Sequence, residues 1–254
     1  MRIMRFINAF IMKRRLKKLI TAAENGDADA QNTLGIYYVD CNLEEAFRWY
    51  LMAAKQGLAE AQVNVAGMYA NGYGVKEDSR KELEWLKKAS DQNLAVAQYN
   101  LGGLYAHGTD TTKQDFEKAY HFYLKAAEQG YPHAQFEVGL MYTNGEYVDE
   151  DPAEALKWYL LAAENGLAAA QYAAACQFAC GIGTEEDYKK AFDLCKKAAE
   201  QGIAEAQYNL GAMYADNYPG IKQNEKKANE WFRAAAEQGN QLAQERLENL
   251  NVPK

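Results

Sequence analysis

Apolar residues along this chain fall at the spacing of a helix face, stop at a glycine-containing break, and then do so again. Around Gln98, residues Ala97, Leu101, Gly102 and Tyr105 occupy positions i, i+4, i+5 and i+8, one stripe of a helix. The stripe breaks at His107-Gly108-Thr109-Asp110. A second stripe of Ala119, Phe122, Tyr123, Ala126 and Ala127 follows and ends at Gln129-Gly130. Nowhere does a run of β-branched residues alternate with polar ones, so no strand is predicted. The pattern predicts paired helices in which each hairpin must bury its face against the next.

The pairing recurs. The phrase Ala-Ala-Glu-x-Gly, then Ala-Gln five residues after the glycine, returns with little change, as in AAENGDADAQ, AAEQGIAEAQ and AAEQGNQLAQ. Its glutamines are Gln31, Gln62, Gln98, Gln135, Gln171, Gln207 and Gln244, spaced by 31, 36, 37, 36, 36 and 37 residues. Seven anchors at so regular a period enclose six repeats. Two classes of glycine follow from the register. Gly26, Gly57, Gly130, Gly166, Gly202 and Gly239 end second helices, where a left-handed residue closes the last turn, and Asn93 takes that place once. Gly35, Gly102, Gly139 and Gly211 lie inside first helices, where a missing side chain lets a neighbouring helix approach.

The consensus A-Q-x-x-L-G-x-x-Y, a turn, then A-x-x-W-Y-x-x-A-A-x-x-G resembles the Sel1-like repeat family, relatives of the tetratricopeptide repeat. The turn Asn71-Gly72-Tyr73-Gly74-Val75-Lys76-Glu77-Asp78 carries the family's N-G-x-G-V-x-x-D signature. Second helices match through Ala46/Trp49/Tyr50, Ala119/Phe122/Tyr123, Ala155/Trp158/Tyr159 and Ala228/Trp231/Phe232. The resemblance covers about residues 16–249. It implies an all-α fold, a right-handed α-solenoid of helix-turn-helix repeats with about six full repeats and terminal capping helices. Three segments are expected: a basic N-terminal segment with a capping helix over 1–26, six repeats over 27–239, and a C-terminal capping helix and tail over 240–254.

Departures from the consensus are concentrated. Repeat one has a shortened turn, Val39-Asp40-Cys41-Asn42. Repeat five has Leu194-Cys195 in place of the aromatic pair and Ala174-Ala175 in place of Leu-Gly, which predicts a looser joint. Repeat six has an irregular turn, Asn217-Tyr218-Pro219-Gly220. At the ends, residues 13–24 read as a second helix lacking its first partner. Residues 241–250 read as a lone helix with Leu242, Leu247 and Leu250 inward. The opening MRIMRFINAFIM is interrupted by Arg5 and Asn8 and shows no small-residue cleavage site, so it reads as an extension of the cap rather than a signal peptide or a membrane span.

Charge adds an asymmetry. Residues 1–20 hold seven of the 28 bases and no acid; 21 bases then face all 35 acids in the remainder, a net −14 within an overall −7. Nucleic-acid binding by an acidic body is disfavoured, and the basic head leaves contact with an anionic membrane surface as an alternative. With 4 cysteines, no repeat can carry its own disulfide pair throughout, so a cytoplasmic, reducing location is expected, or the inner face of the membrane if the basic head docks there.

Catalytic signatures are missing. His107, His121 and His133 form no ligand pair, and no Walker loop, nucleophile elbow or dinucleotide fingerprint is present. Cys176, Cys180 and Cys195 share one hairpin without an evident fourth ligand and read as packing residues. No catalytic, cofactor-binding or metal site is expected. Disulfide-rich members of the family to which weak hydrolase activity of the β-lactamase type is ascribed have a cysteine scheme that this chain lacks.

The position after each anchor reads Asn32, Val63, Tyr99, Phe136, Tyr172 and Tyr208, four aromatics in succession. One turn on lie Gly103 and Leu140, and the helix ends carry His107 and Asn144. These residues are expected to form a partner-binding ladder on the concave face, with the half-buried packing of the rings as the competing role. The expected activity is non-catalytic: a scaffold or adaptor holding a neutral to basic protein or peptide, an immunity or inhibitor protein being a narrower form.

Overall fold

The computed structural model describes residues 14–250; the reading of the first dozen residues as a cap extension falls outside them. Among the described residues there are fourteen helices and no strand. Helix α1 covers residues 14–24. First helices of the repeats are α2 (Ala28–Tyr38), α4 (Ala59–Asn71), α6 (Ala95–His107), α8 (Pro132–Asn144), α10 (Ala168–Cys180) and α12 (Ala204–Ala215). Second helices are α3 (Leu43–Lys55), α5 (Ser79–Asp91), α7 (Phe116–Glu128), α9 (Pro152–Glu164), α11 (Tyr188–Glu200) and α13 (Glu225–Glu237), and α14 (Gln241–Leu250) closes the series. The chain forms two compact units, Met1–Ala126 and Ala127–Lys254, dividing near the end of α7.

Second helices start where the sequence offers a cap. Asn42, Asp78, Asp151, Asp187 and Asn224 are extended residues whose side chains accept from backbone N–H groups of the first turn. The helices stop where a left-handed residue is available: Gly57, Gly166, Gly202 and Gly239 take φ of +98°, +85°, +94° and +87°, and Asn93 takes +61°. The two glycine classes are therefore physically distinct, because the second class has ordinary helical φ and serves proximity instead. A Cβ built on Gly139 would lie 2.6 Å from Tyr159 Cε1, and one on Gly211 would lie 2.7 Å from the Phe232 ring. Gly35 and Gly102 meet Tyr50 and Tyr123 in the same way.

The anchoring glutamines acquire a structural reason. Gln31, Gln62, Gln98, Gln135, Gln171 and Gln207 are all buried. Gln31, Gln62, Gln135, Gln171 and Gln207 each donate Nε2 to a carbonyl eight residues back, at Ala23, Ala54, Ala127, Ala163 and Ala199, over 2.9 to 3.3 Å. That carbonyl lies in the last turn of the preceding helix, where it also accepts from the N–H of the closing glycine, so the glutamine takes its second lone pair. The amide oxygen is satisfied from the other side: Gln56, Gln92, Gln201 and Gln238 donate to Gln31, Gln62, Gln171 and Gln207 at 2.7 to 2.9 Å. Asn165 does so for Gln135 at 3.4 Å. Gln98 instead donates to Asn93 Oδ1 at 3.0 Å, where the asparagine replaces the usual glycine. Apart from Gln98, each of these buried amides thus ties three successive helices, and truncating it would remove a hydrogen bond on both sides.

The ends show one agreement and one correction. Helix α1 seals repeat one, with Ala23 fully buried beside Ala30, Leu34 and Trp49. At the other end Leu242 does not face inward; it is 54% exposed. The inward positions of α14 are Ala243, fully buried, and Leu247. The helix therefore copies the Ala-Gln-x-x-Leu register of a first helix, with Gln244 donating to Ala236 O at 3.4 Å, and that register turns Leu242 to solvent.

Candidate functional site

The four aromatic rungs sit at equivalent places on their first helices, Tyr99 in the first unit and Phe136, Tyr172 and Tyr208 in the second, and all are half-buried. Three lean on the ring carried by the second helix of the same repeat: Tyr99 on Tyr123 at 5.7 Å, Phe136 on Tyr159 at 5.5 Å, and Tyr208 on Phe232 at 5.7 Å, each pair tilted by 41° to 43°. Packing and exposure therefore coexist in the same side chains. Of the neighbouring residues, Gly103 faces the Tyr123 hydroxyl, Leu140 packs into the core of the second unit, and His107 and Asn144 are exposed at helix ends. Asn144 Nδ2 donates to Glu146 Oε1 at 3.3 Å.

The rungs are also linked between repeats. In two places the residue two beyond an anchor reaches back to the rung before it: Asn64 Nδ2 donates to Asn32 Oδ1 at 3.0 Å and Asn209 Nδ2 donates to Tyr172 Oη at 3.2 Å. Burial, with the neighbouring thiols adding to it, pushes the Tyr172 phenol above its ordinary range, which keeps it protonated.

Repeat five is where the plan changes. In repeat four, Gly139 accommodates the Tyr159 ring, and the Tyr159 hydroxyl meets Thr143 Oγ1 at 2.8 Å. Thr143 already donates to Gly139 O at 2.9 Å, so the tyrosine is the donor. The corresponding residues of repeat five are Ala175, Cys195 and Ala179: the ring is gone and so is its acceptor. A cavity of about 310 Å³ lies there, entirely within the second unit. Its walls from α10 and α11 include Tyr172, Ala175, Cys176, Ala179 and Cys195, and α12 contributes Asn209, Ala212 and Met213. Tyr188 and Tyr218, 5.5 Å apart, complete the rim. Tyr218 belongs to the irregular turn of repeat six, where α12 ends at an extended Asp216 instead of a left-handed glycine.

The three thiols of this hairpin all border the cavity, and none is in a disulfide. Burial raises Cys176, and burial foremost, with Cys176 beside it, pushes Cys195 up to about 12; Cys195 is 1% exposed and its thiol donates to Ala206 O at 3.2 Å. Cys176 and Cys195 are therefore neutral at physiological pH and poor nucleophiles. Among the described residues no group of three or more His, Cys, Asp or Glu side chains is arranged to hold a metal ion. Nor is any helix there long and apolar enough to cross a membrane.

Sequence reading named Tyr172 and noted the looser joint, but it did not identify Asn209, Met213, Tyr188 and Tyr218 as its neighbours. The Ala175/Cys195 departure was the available signal. The next repeat's share of the wall lies about 37 residues further along and has no local mark.

A family model described as the Sel1 repeat matches residues 28–58, 59–94, 95–131, 132–167, 168–203 and 204–240. A protective antigen of uropathogenic Escherichia coli that displays an SLR fold superposes with a TM-score of 0.84 at 35% identity, covering 91% of this chain and 50% of the antigen. This chain thus spans half that protein's length. A Sel1 repeat protein from Oxalobacter formigenes gives a TM-score of 0.76 at 30% identity, covering 91% and 95% of the two chains. An immunity protein of Pseudomonas aeruginosa shares the fold at a TM-score of 0.52 and 22% identity, covering 83% of this chain and 81% of its own. No curated protein matches significantly. With six consecutive matches spanning residues 28–240 and solved relatives at 30% and 35% identity, the chain belongs to the Sel1 repeat family.

Proposed function

We propose that this protein is a non-catalytic interaction scaffold that holds a partner protein or peptide against the face formed by its first helices. The observation that carries the reading is the rung position: four successive repeats keep an aromatic side chain half-exposed there, and three of the rings also pack on a ring of their own repeat. Aromatics held rigid by their own neighbours offer contact area at small entropic cost on binding. The net charge of −14 outside residues 1–20 favours a neutral to basic partner, whose association would slow with added salt. An immunity or inhibitor role is the narrower form of this reading. It is supported by charge and by a fold shared with an immunity protein, a likeness that by itself speaks only to fold.

One observation favours a second reading. On α1, Arg14, Lys17 and Lys18 surround a shallow depression with Thr21, Ala22 and Asn25, a basic surface suited to anionic headgroups. In that reading the scaffold works at a membrane surface.

The experiment is affinity capture with the full chain from its native source, identification of the retained protein, and titration of the purified pair. Tyr99→Ala/Tyr172→Ala, checked for helicity by circular dichroism, is expected to weaken the affinity at least tenfold. A purified partner bound equally by wild type and the double variant would remove the rungs from the interface. Flotation of the full chain with anionic vesicles, lost when Arg14, Lys17 and Lys18 are replaced by glutamate, would favour the membrane reading.

A further inference from the structure

The cavity of repeat five has a template inside the same molecule. In repeats one, three, four and six, a first-helix glycine faces a second-helix ring: Gly35 with Tyr50, Gly102 with Tyr123, Gly139 with Tyr159 and Gly211 with Phe232. Repeat two abandons both partners together and closes the joint with Ala66 against Leu86, in one core cluster. Repeat five also abandons both, but Ala175 faces Cys195, whose side chain is two heavy atoms long. The space that a ring or a leucine fills elsewhere is left open, and the cavity lies there.

We propose that this cavity is a binding site for a single uncharged aromatic ring, phenol- or toluene-like in size. Its walls are those that hold a ring in the neighbouring repeat. Tyr172 corresponds to Phe136, which leans on Tyr159 at 5.5 Å; Ala175, Cys176 and Ala179 correspond to Gly139, Leu140 and Thr143. An entering ring would meet the exposed face of Tyr172 as Tyr159 meets Phe136, an offset aromatic pair. The chemistry selects against charge. The thiols of Cys176 and Cys195 are neutral, the Tyr172 oxygen accepts from Asn209 Nδ2, and Met213 supplies a polarizable thioether suited to aromatic contact. Size is sufficient, since apolar cavities of about 150 Å³ already hold benzene and this one is about 310 Å³. The ring has two possible carriers, a free small molecule or an aromatic side chain of a bound polypeptide.

The test uses the full chain and two probes. p-Cresol presents the ring alone, and N-acetyl-L-tyrosine amide presents it on a peptide backbone. Binding is read at the Met213 methyl group by carbon-detected methionine NMR, because a ring seated against it shifts that signal whereas Met52 and Met68, outside the cavity, stay still. A saturable Met213 shift with p-cresol is expected, and it should vanish in two filled variants. Cys195→Leu reproduces the Ala66/Leu86 pair of repeat two, and Ala175→Gly/Cys195→Tyr reproduces the glycine–tyrosine pair of repeat four. Either variant suffices if the other folds poorly. A matching response to the amide assigns a polypeptide side chain as the carrier; response to p-cresol alone assigns a free aromatic molecule. No saturable shift with either probe, or an equal shift in wild type and a folded filled variant, would overturn the proposal. The outcome is independent of partner capture, so the site stands or falls apart from the scaffold reading.

Discussion

Repeats four and five share a unit, a length and a backbone plan, yet one is filled and the other is hollow. In repeat four a tyrosine crosses from α9 onto a bare glycine, meets Phe136, and donates to Thr143. In repeat five a buried cysteine replaces it, and the cavity opens beside Tyr172. The backbone frame survives because other interactions hold it: the capped starts of α9 and α11, the left-handed closures at Gly166 and Gly202, and the buried amides of Gln135 and Gln171. The ring is therefore a separable element of the repeat, and its removal creates a place for something else without dismantling the hairpin.

Making repeat four resemble repeat five should have the largest effect. Tyr159→Ala removes a fully packed ring and its hydrogen bond, and is expected to lower stability by about 3–5 kcal/mol in urea titration. A cost below about 1 kcal/mol would show that the ring is not a structural element and would dissolve the contrast. Gly139→Ala, the other half of that change, forces a Cβ into the Tyr159 ring and should cost about 1–3 kcal/mol.

The shared frame can be attacked directly. Gln171→Ala removes one bond each from the Ala163 carbonyl and the Gln201 amide, which keep the Gly166 N–H and the Gly166 carbonyl, and about 1–2 kcal/mol should be lost. Gln244→Ala removes the same donor from an exposed site and should cost well under half as much. Equal costs would mean that burial does not set the value of this amide.

The thiol in the hollow repeat gives a pH signature. The Cys195 pKa is raised in the folded state, so its contribution to stability is complete below the unfolded thiol pKa of about 9 and declines as pH rises toward about 12. Between pH 8 and pH 10, wild type should lose about 1 kcal/mol more than Cys195→Val, measured by urea titration at each pH. The smallest effect is expected from Ala175→Gly, roughly 0.5–1 kcal/mol from helix propensity alone, because no ring waits to use the space. A larger loss would indicate that Ala175 packs more tightly than the cavity implies.

Much of this molecule was determined by its sequence alone. The period of 36 or 37 residues, the paired apolar stripes and the two glycine classes fix helical hairpins and their order, because helix faces and left-handed caps are set by neighbours within a few residues. The charge imbalance and the lack of catalytic motifs were equally legible. The departure at Leu194-Cys195 and Ala174-Ala175 even marked where packing would loosen. Only the tertiary structure decided what the looseness became. Asn209, Met213 and Tyr218 reach Tyr172 and Cys195 from the following repeat, and sequence spacing does not say which side chains share one void. The glutamines were visible as a motif, but their bonds to a carbonyl before and an amide after exist only once three helices are stacked. In α14 the same stacking overruled a plausible local stripe and turned Leu242 outward, because the surface offered by α13 accepts the register of a first helix: Ala243 and Leu247 face it, while Leu242 lies about 100° away around the helix.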